Sequence, residues 1–314
     1  MLKNSKIFLT GHNGLVGSAV YKKLRFLKYK NIITVEKKNL DLRDEKKVDK
    51  YFSKKKIDII IMAAARAGGI LANKKFQKNF FFENIEIQNS LLKLALKKKV
   101  KRVIFLGTSC IYPKFSKTPI KENYLLTGKL EKTNECYAIA KIAGIKLCEA
   151  LYELHNLDVV ALMPTNIYGI NDNFDTKTGH VIPAMITKFL EAKRKNKNQL
   201  TLWGSGKPER EFLHADDLAT AIVKVMTISK KKIYDKSGKT FPLINVGSNE
   251  IVSIKKLSKI IKKLTNYHGE VVFDKSYPDG TLKKNLNSKI IKSLGWRPKI
   301  NLVEGLNQVI KSRR

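Results

Sequence analysis

Tyr137 and Lys141 stand one helical turn apart in the stretch Asn134-Glu135-Cys136-Tyr137-Ala138-Ile139-Ala140-Lys141. On a helix the two side chains point the same way, one above the other. An ammonium held near a phenol favours the phenolate, so the tyrosine is expected to titrate below its usual value of about 10. Such a pair can donate a proton to a carbonyl oxygen. In a lysine-rich chain it also arises by chance, so its meaning depends on whether a cofactor and a substrate pocket accompany it.

The elements that would position it follow in order. Residues 6–10 read as a buried strand that runs into Gly11-His12-Asn13-Gly14-Leu15-Val16-Gly17 and then a helical pattern. Glycines spaced this way between the first strand and the first helix allow a tight turn, and they aim the helix N-terminus at a pyrophosphate. The second strand, residues 31–35, ends at Glu36-Lys37-Lys38. An acid there suits the ribose of NAD and a base suits the 2′-phosphate of NADP, so both cofactors stay open on the residues alone. Residues 39–44 read as a short strand entering a helix, with Asp41 near the adenine and Asp44 also explicable as a solvated helix start.

Residues 57–65 form a further buried strand, followed by small residues at Arg66-Ala67-Gly68-Gly69-Ile70. Residues 100–106 form another, ending at Leu106 and Gly107-Thr108-Ser109-Cys110-Ile111-Tyr112-Pro113. Hydroxyls and a thiol at the carboxyl end of a parallel strand lie where such sheets bind ligands. A strand at 158–163 leads into Pro164-Thr165-Asn166-Ile167-Tyr168-Gly169. Strand–helix alternation up to this point gives an α/β fold, a Rossmann-type doubly wound parallel sheet. Residues 1–170 are therefore read as the dinucleotide domain, with a return at about 212–250, and 171–314 mainly as a smaller α/β substrate domain. The helices over 84–98 and 134–154 are apolar on more than one face, which fits a homodimer interface as well as simple burial.

Composition narrows the partners. The chain has 314 residues, 62 Lys+Arg against 27 Asp+Glu, and a net charge of +35. The lysines scatter along helix faces, as at Lys97-Lys98-Lys99 and Lys230-Lys231-Lys232, and do not form one stripe. No nucleic acid partner is expected, although a positive field can attract an anionic nucleotide-sugar. The apolar run at residues 7–10 is shorter than a signal peptide or a membrane span requires. A cytoplasmic protein without membrane attachment is expected. Cys110, Cys136 and Cys148 have no metal-ligand spacing, so no metal is expected.

Together with His180-Val181-Ile182-Pro183-Ala184, Trp203-Gly204-Ser205-Gly206, Arg210-Glu211-Phe212-Leu213-His214 and Pro278-Asp279-Gly280-Thr281, these stretches resemble the extended short-chain dehydrogenases/reductases that act on nucleotide-sugars. Within them the chain is most similar to the GDP-L-fucose synthase family, over nearly its whole length. The Ser-Cys-Ile-Tyr-Pro and His-Val-Ile-Pro stretches point to that family; the glycine turn, Tyr and Lys belong to the wider group.

The resemblance implies inversion at C3 and C5 of GDP-4-keto-6-deoxy-D-mannose and NADPH-dependent reduction at C4. It makes Cys110 and His180 the base and acid of the inversions. Without it, Cys110 reads as a small buried hydrophobe and His180 as a helix cap. Tyr137, Lys141 and Thr108 become the reductase centre. Gly11 to Gly17, Lys37, Asp41, Leu106, Gly107, Thr108, Lys141, Pro164 to Ile167 (with Thr165 and Asn166) and His180 become the cofactor contacts. Lys188, Trp203, Arg210 and Asp279 become the substrate contacts. Thr108 stands where the family usually has Ser, Cys136 where Pro is common, Lys188 where Arg is usual, and Asn13 and Lys37 where arginines meet the 2′-phosphate. NADP(H) is the implied cofactor, with NAD(H) kept open by Glu36. The competing readings are a nucleotide-sugar 4-epimerase, which needs no C3/C5 acid–base pair, and a 4,6-dehydratase. A dehydratase normally carries Glu beyond its catalytic Thr, where Ser109 stands here.

Overall fold

The computed structural model describes residues 3–277 and 279–313, so Pro278 of the Pro-Asp-Gly-Thr stretch lies outside the described residues. Short, mostly apolar segments supply the central strands: β1 (Ile7–Thr10), β2 (Ile32–Ile33), β3 (Ile59–Met62), β4 (Arg102–Leu106) and β5 (Val159–Pro164). Apart from β2, they are buried along their whole length. Burial on both faces is what a parallel sheet covered by helices demands. Among the described residues the sheet runs β2-β1-β3-β4-β5-β9, all parallel, the last strand being β9 (Leu243–Val246). Its order reverses between β1 and β3, the place where such sheets bind ligands.

Around the sheet lie α1 (Leu15–Phe26), α2 (Glu45–Phe52), α3 (Ile70–Lys75), α4 (Gln77–Lys97) and α5 (Glu135–His155). On α5 the buried stripe takes in Ala138, Lys141, Ile142, Ile145, Cys148 and Leu151, a helical period with a lysine inside it. The helix ends where Asn156 adopts φ 52°, a left-handed cap that asparagine tolerates. Close α4–α5 packing is enforced at Gly144, where a Cβ would stand 2.4 Å from Gln88 Oε1.

The chain then leaves the sheet through β6 (Asn166–Tyr168), α6 (Val181–Arg194), β7 (Gln199–Trp203) and β8 (Glu209–His214). It returns with α7 (Ala215–Thr227), α8 (Lys230–Lys236) and β9. Arg102, 2% exposed, ties this return to the sheet: it binds Asp158 at 2.6 Å and donates to the carbonyls of Val225, Met226 and Ile228. Beyond come β10 (Ile251–Ser253), α9 (Ile254–Thr265), β11 (Glu270–Asp274), β12 (Lys283–Lys284), α10 (Lys289–Ser293) and α11 (Leu302–Lys311). Strands β6, β10 and β12 gather on β8, and β11 pairs with β7. A separate apolar core lies here, with Phe189, Phe212, Leu257, Ile261 and Leu306.

Two expectations need correcting. Residues 39–44 form turns and no strand, because Asp41 takes the Arg43 backbone N–H at 3.0 Å and folds the chain on itself. Asp44 caps α2 by accepting from Lys47 N–H. Helix α4 begins at Gln77, well before residue 84, so Phe80 belongs to it. Among the described residues, no helix is long and apolar enough to cross a membrane.

Candidate active site

The glycine turn is required by close approach. Gly11 has φ +67°, and a Cβ there would stand 2.7 Å from Ala64 N; one on Gly17 would stand 2.0 Å from Gly11 O. The turn is thus pressed onto the end of β3 at the switch point. Gly14 is the N-cap of α1 and offers no side-chain cap, so the first-turn N–H groups of Leu15, Val16 and Gly17 face outward as anion donors. Asn13 lies in the same turn.

Beside it is a cleft of about 450 Å³ lined by His12, Glu36, Lys38, Asn39 and Tyr51. Lys38 pairs with Glu36 at 2.9 Å, both well exposed, an arrangement worth little in water and readily exchanged. Lys38 and Tyr51, not singled out by sequence, therefore join His12 here. Asp41 is held differently: Arg43 grips it through two nitrogens, which lowers its carboxyl to about 2. Lys37 is a further cation acting on Asp41. These donors fit a dinucleotide carrying an extra phosphate: a bare helix N-terminus for the diphosphate, and an exposed lysine in the cleft.

At the carboxyl end of β4, Gly107 passes so close to Met163 that a Cβ would stand 2.3 Å from its sulfur. Thr108 caps the short turn Ser109–Ile111 by accepting from Cys110 N–H at 3.2 Å. This turn projects Thr108 and Cys110 toward the start of α5. Tyr137 hydrogen-bonds to Thr108 and meets Phe80 edge-on at 6.0 Å between centroids. Lys141, 5% exposed, donates to Leu106 O at 2.9 Å.

The expected fall of the Tyr137 phenol is not what the structure gives. Burial raises it well above its ordinary value, the nearby Cys110 raises it further, and the Thr108 hydrogen bond offsets only part. Lys141 is itself lowered to about 8 by burial and spends its hydrogen bond on the sheet. The result is a protonated phenol at neutral pH, the form a proton donor needs.

Cys110 has a partner of its own: Asn134 Nδ2 donates to its sulfur at 3.3 Å. Arg210 also lies within electrostatic reach of Cys110. Cys110, Tyr137, Thr108 and Arg210 are thus brought together. His180 is the N-cap residue of α6 and caps none of its N–H groups. Its Nδ1 lies 3.6 Å from Asp172 Oδ1, whose side chain is only 3% exposed. Sequence reading missed both Asn134 and Asp172, which become visible only when the segments carrying Cys110 and His180 fold. Residues 172–180 close on the loop after β3: Gly69 N–H donates to Thr178 O, and a Cβ on Gly69 would stand 2.3 Å from Gly179 O.

Pro164 ends β5, and Ile167 lies in β6 paired with Leu213. Thr165 and Asn166 both donate to Glu211 O, which locks the passage from sheet to outer lobe. In that lobe Trp203 stacks on Tyr277 at 4.7 Å, and Lys188 sits 4.3 Å over its ring. Burial lowers both Lys188 and Arg210. Arg210 is held by the carbonyls of Glu209 and Thr281. Asp279 accepts from Ser205 N–H at 2.9 Å and from Ser205 Oγ, so it fastens the Gly204–Gly206 turn beside Trp203.

The chain is similar over its length to known proteins. The chain is 46% identical to a putative GDP-L-fucose synthase 2 of Arabidopsis thaliana, over 98% of this chain and 90% of that one. It is 41% identical to the GDP-L-fucose synthase of Escherichia coli K12, over 97% and 95%. Among solved structures, the GDP-mannoheptose C4 reductase of Campylobacter jejuni with NADP bound superimposes with a TM-score of 0.89 at 32% identity, covering 100% of this chain and 99% of that one. Residues 7–236 match the NAD dependent epimerase/dehydratase family. The chain belongs to that family and, within it, groups with the GDP-L-fucose synthases.

Proposed function

We propose that this chain is an NADP-dependent epimerase/reductase that converts GDP-4-keto-6-deoxy-D-mannose to GDP-L-fucose. The observation that carries the reading is the joining of Cys110 to the Thr108–Tyr137 pair and to Arg210. A proton-transfer thiol beside a carbonyl-reducing centre is what inversion followed by reduction needs, and what a 4-epimerase or dehydratase does not. A nucleotide-sugar C4 reductase, as the Campylobacter neighbour is named, shares the reducing centre. The Cys110/His180 pair favours the larger reaction.

The 4-keto group acidifies the hydrogens on C3 and C5. The Cys110 thiolate takes one; an S–H bond forms, and the C–H electron pair moves into the keto oxygen. His180 returns a proton to the same carbon from the other face, with the Asp172 carboxylate 3.6 Å from its Nδ1. The second inversion repeats the exchange once the pair has recovered its starting protonation. Thr108 and Tyr137 hold the oxygen on which charge develops. The nicotinamide supplies a hydride to C4 when bound. Tyr137 then gives its proton to that oxygen, and the Lys141 ammonium stabilises the phenolate left behind. Lys188 and Arg210 are the cations for the nucleotide diphosphate, beside the Trp203 indole. Asp279 contributes by holding the turn that carries Trp203.

The cofactor would lie along Gly11 to Gly17, with its extra phosphate in the cleft holding Lys38 and its nicotinamide end near Lys141 and His180. We place the cofactor part at 1–170 and the substrate part mainly at 171–314, β9 supplying the return to the sheet. A homodimer through α4 and α5 is part of this reading, supported by exposed Phe82 and Ile139 on those helices, as is a cytoplasmic location. The test is to supply GDP-4-keto-6-deoxy-D-mannose with NADPH and follow absorbance and product. GDP-L-fucose formation with stoichiometric NADPH loss is expected; no oxidation of NADPH or NADH by that substrate refutes the reading.

A further inference from the structure

A thiol acts as a base only as its thiolate, so something at Cys110 must favour the charged form. Two groups stand there. Asn134 donates from Nδ2 to the sulfur at 3.3 Å, and the Arg210 guanidinium lies within electrostatic reach of the sulfur. Arg210 is shared, since Asp279 and Glu131 act on it as well. Tyr137 is a further titratable neighbour, and Thr108 holds the Cys110 backbone.

Asn134 is the N-cap residue of α5, yet its side chain caps none of the helix N–H groups. Asparagine at that position usually accepts from an N–H one turn on. Here the amide is turned to the sulfur, and its Oδ1 is buried without a hydrogen-bond partner. Leaving a buried acceptor bare is destabilising. The orientation suits a thiolate, which can only accept, better than a neutral thiol, whose sulfur accepts more weakly. We propose that Asn134 is the positioning residue of the epimerisation base, its Nδ2–H holding Cys110 as the thiolate while Arg210 supplies the charge.

This rests on the reading of Cys110 as that base, and the experiment separates the two. Alkylation of Cys110 by iodoacetamide is followed against pH by mass spectrometry of the Cys110 peptide, in wild type, Asn134→Leu and Asn134→Asp. A hydrogen bond to a charged group is worth about 1.5–3 kcal/mol. The midpoint of alkylation is therefore expected to move up by about one to two pH units in Asn134→Leu, and further in Asn134→Asp, whose carboxylate repels the thiolate. Solvent-deuterium wash-in at C3 and C5 should slow about tenfold or more at pH 7 and recover as pH approaches the new midpoint. NADPH binding, read by fluorescence, reports folding. An unshifted midpoint in variants that still bind NADPH overturns the proposal. If Cys110→Ser keeps full wash-in, the base assignment itself falls; if Cys110→Ser loses it while the midpoint stays put, only the role of Asn134 falls.

Discussion

Replacing Lys141 by methionine should stabilise the folded chain at neutral pH while abolishing reduction. Lys141 lies on the buried stripe of α5, 5% exposed, and burial lowers it from 10.5 to about 8. Such a difference corresponds to about 3 kcal/mol, at 1.36 kcal/mol per pH unit. The sign follows from proton binding. Between pH 8 and 10.5 the unfolded chain holds a proton on this lysine that the folded chain releases, so wild-type stability rises with pH across that window. Below pH 8 the cost of burying the ammonium is fully present. Methionine escapes it but leaves Leu106 O without its donor, which costs about 1–3 kcal/mol. The variant should therefore gain up to about 2 kcal/mol at pH 7. By pH 10.5 the advantage should shrink by about 3 kcal/mol, leaving the variant the less stable protein. Urea unfolding of both proteins at pH 7, 8.5 and 10 measures it. Stability differences that stay constant across that range would refute the reasoning.

Other perturbations probe other parts of the account. Asp172→Asn removes the charge 3.6 Å from His180 and should slow deuterium wash-in about tenfold, with NADPH affinity unchanged by fluorescence titration. Glu36→Gln frees Lys38 and removes an acid from the cleft; it should raise the NADPH-over-NADH affinity ratio about tenfold, and Lys38→Ala should lower it, both read as dissociation constants. Arg102→Leu leaves Asp158 without its cation and the carbonyls of Val225, Met226 and Ile228 without their donor. It should cost about 3–5 kcal/mol in urea unfolding.

The elements whose partners are local could be read from the chain. The glycine turn after β1 sits directly between an apolar run and a helical pattern, and its conformational demand is visible at Gly11 and Gly17. Tyr137 and Lys141 share a helix, so their spacing alone aligned them. What stayed hidden depends on closure between distant segments. Strands β8, β10 and β12 are short and exist through one another, so no alternation along any one of them marks a sheet. Asn134 reads as an ordinary helix cap, and only the fold turns it to a cysteine more than twenty residues away. Asp172 sits in a polar loop until that loop folds back on α6. Tyr137 shows the reverse limit: spacing from a lysine suggested a lowered phenol, but burial dominates both groups.

The central claim is that one site performs two inversions and a reduction. Turnover of GDP-4-keto-6-deoxy-D-mannose with NADPH in deuterium oxide, analysed by NMR, tests it most directly. GDP-L-fucose labelled at both C3 and C5 is expected, with loss of both labels in Cys110→Ser. A product reduced at C4 with neither carbon labelled would contradict it and leave a plain C4 reductase.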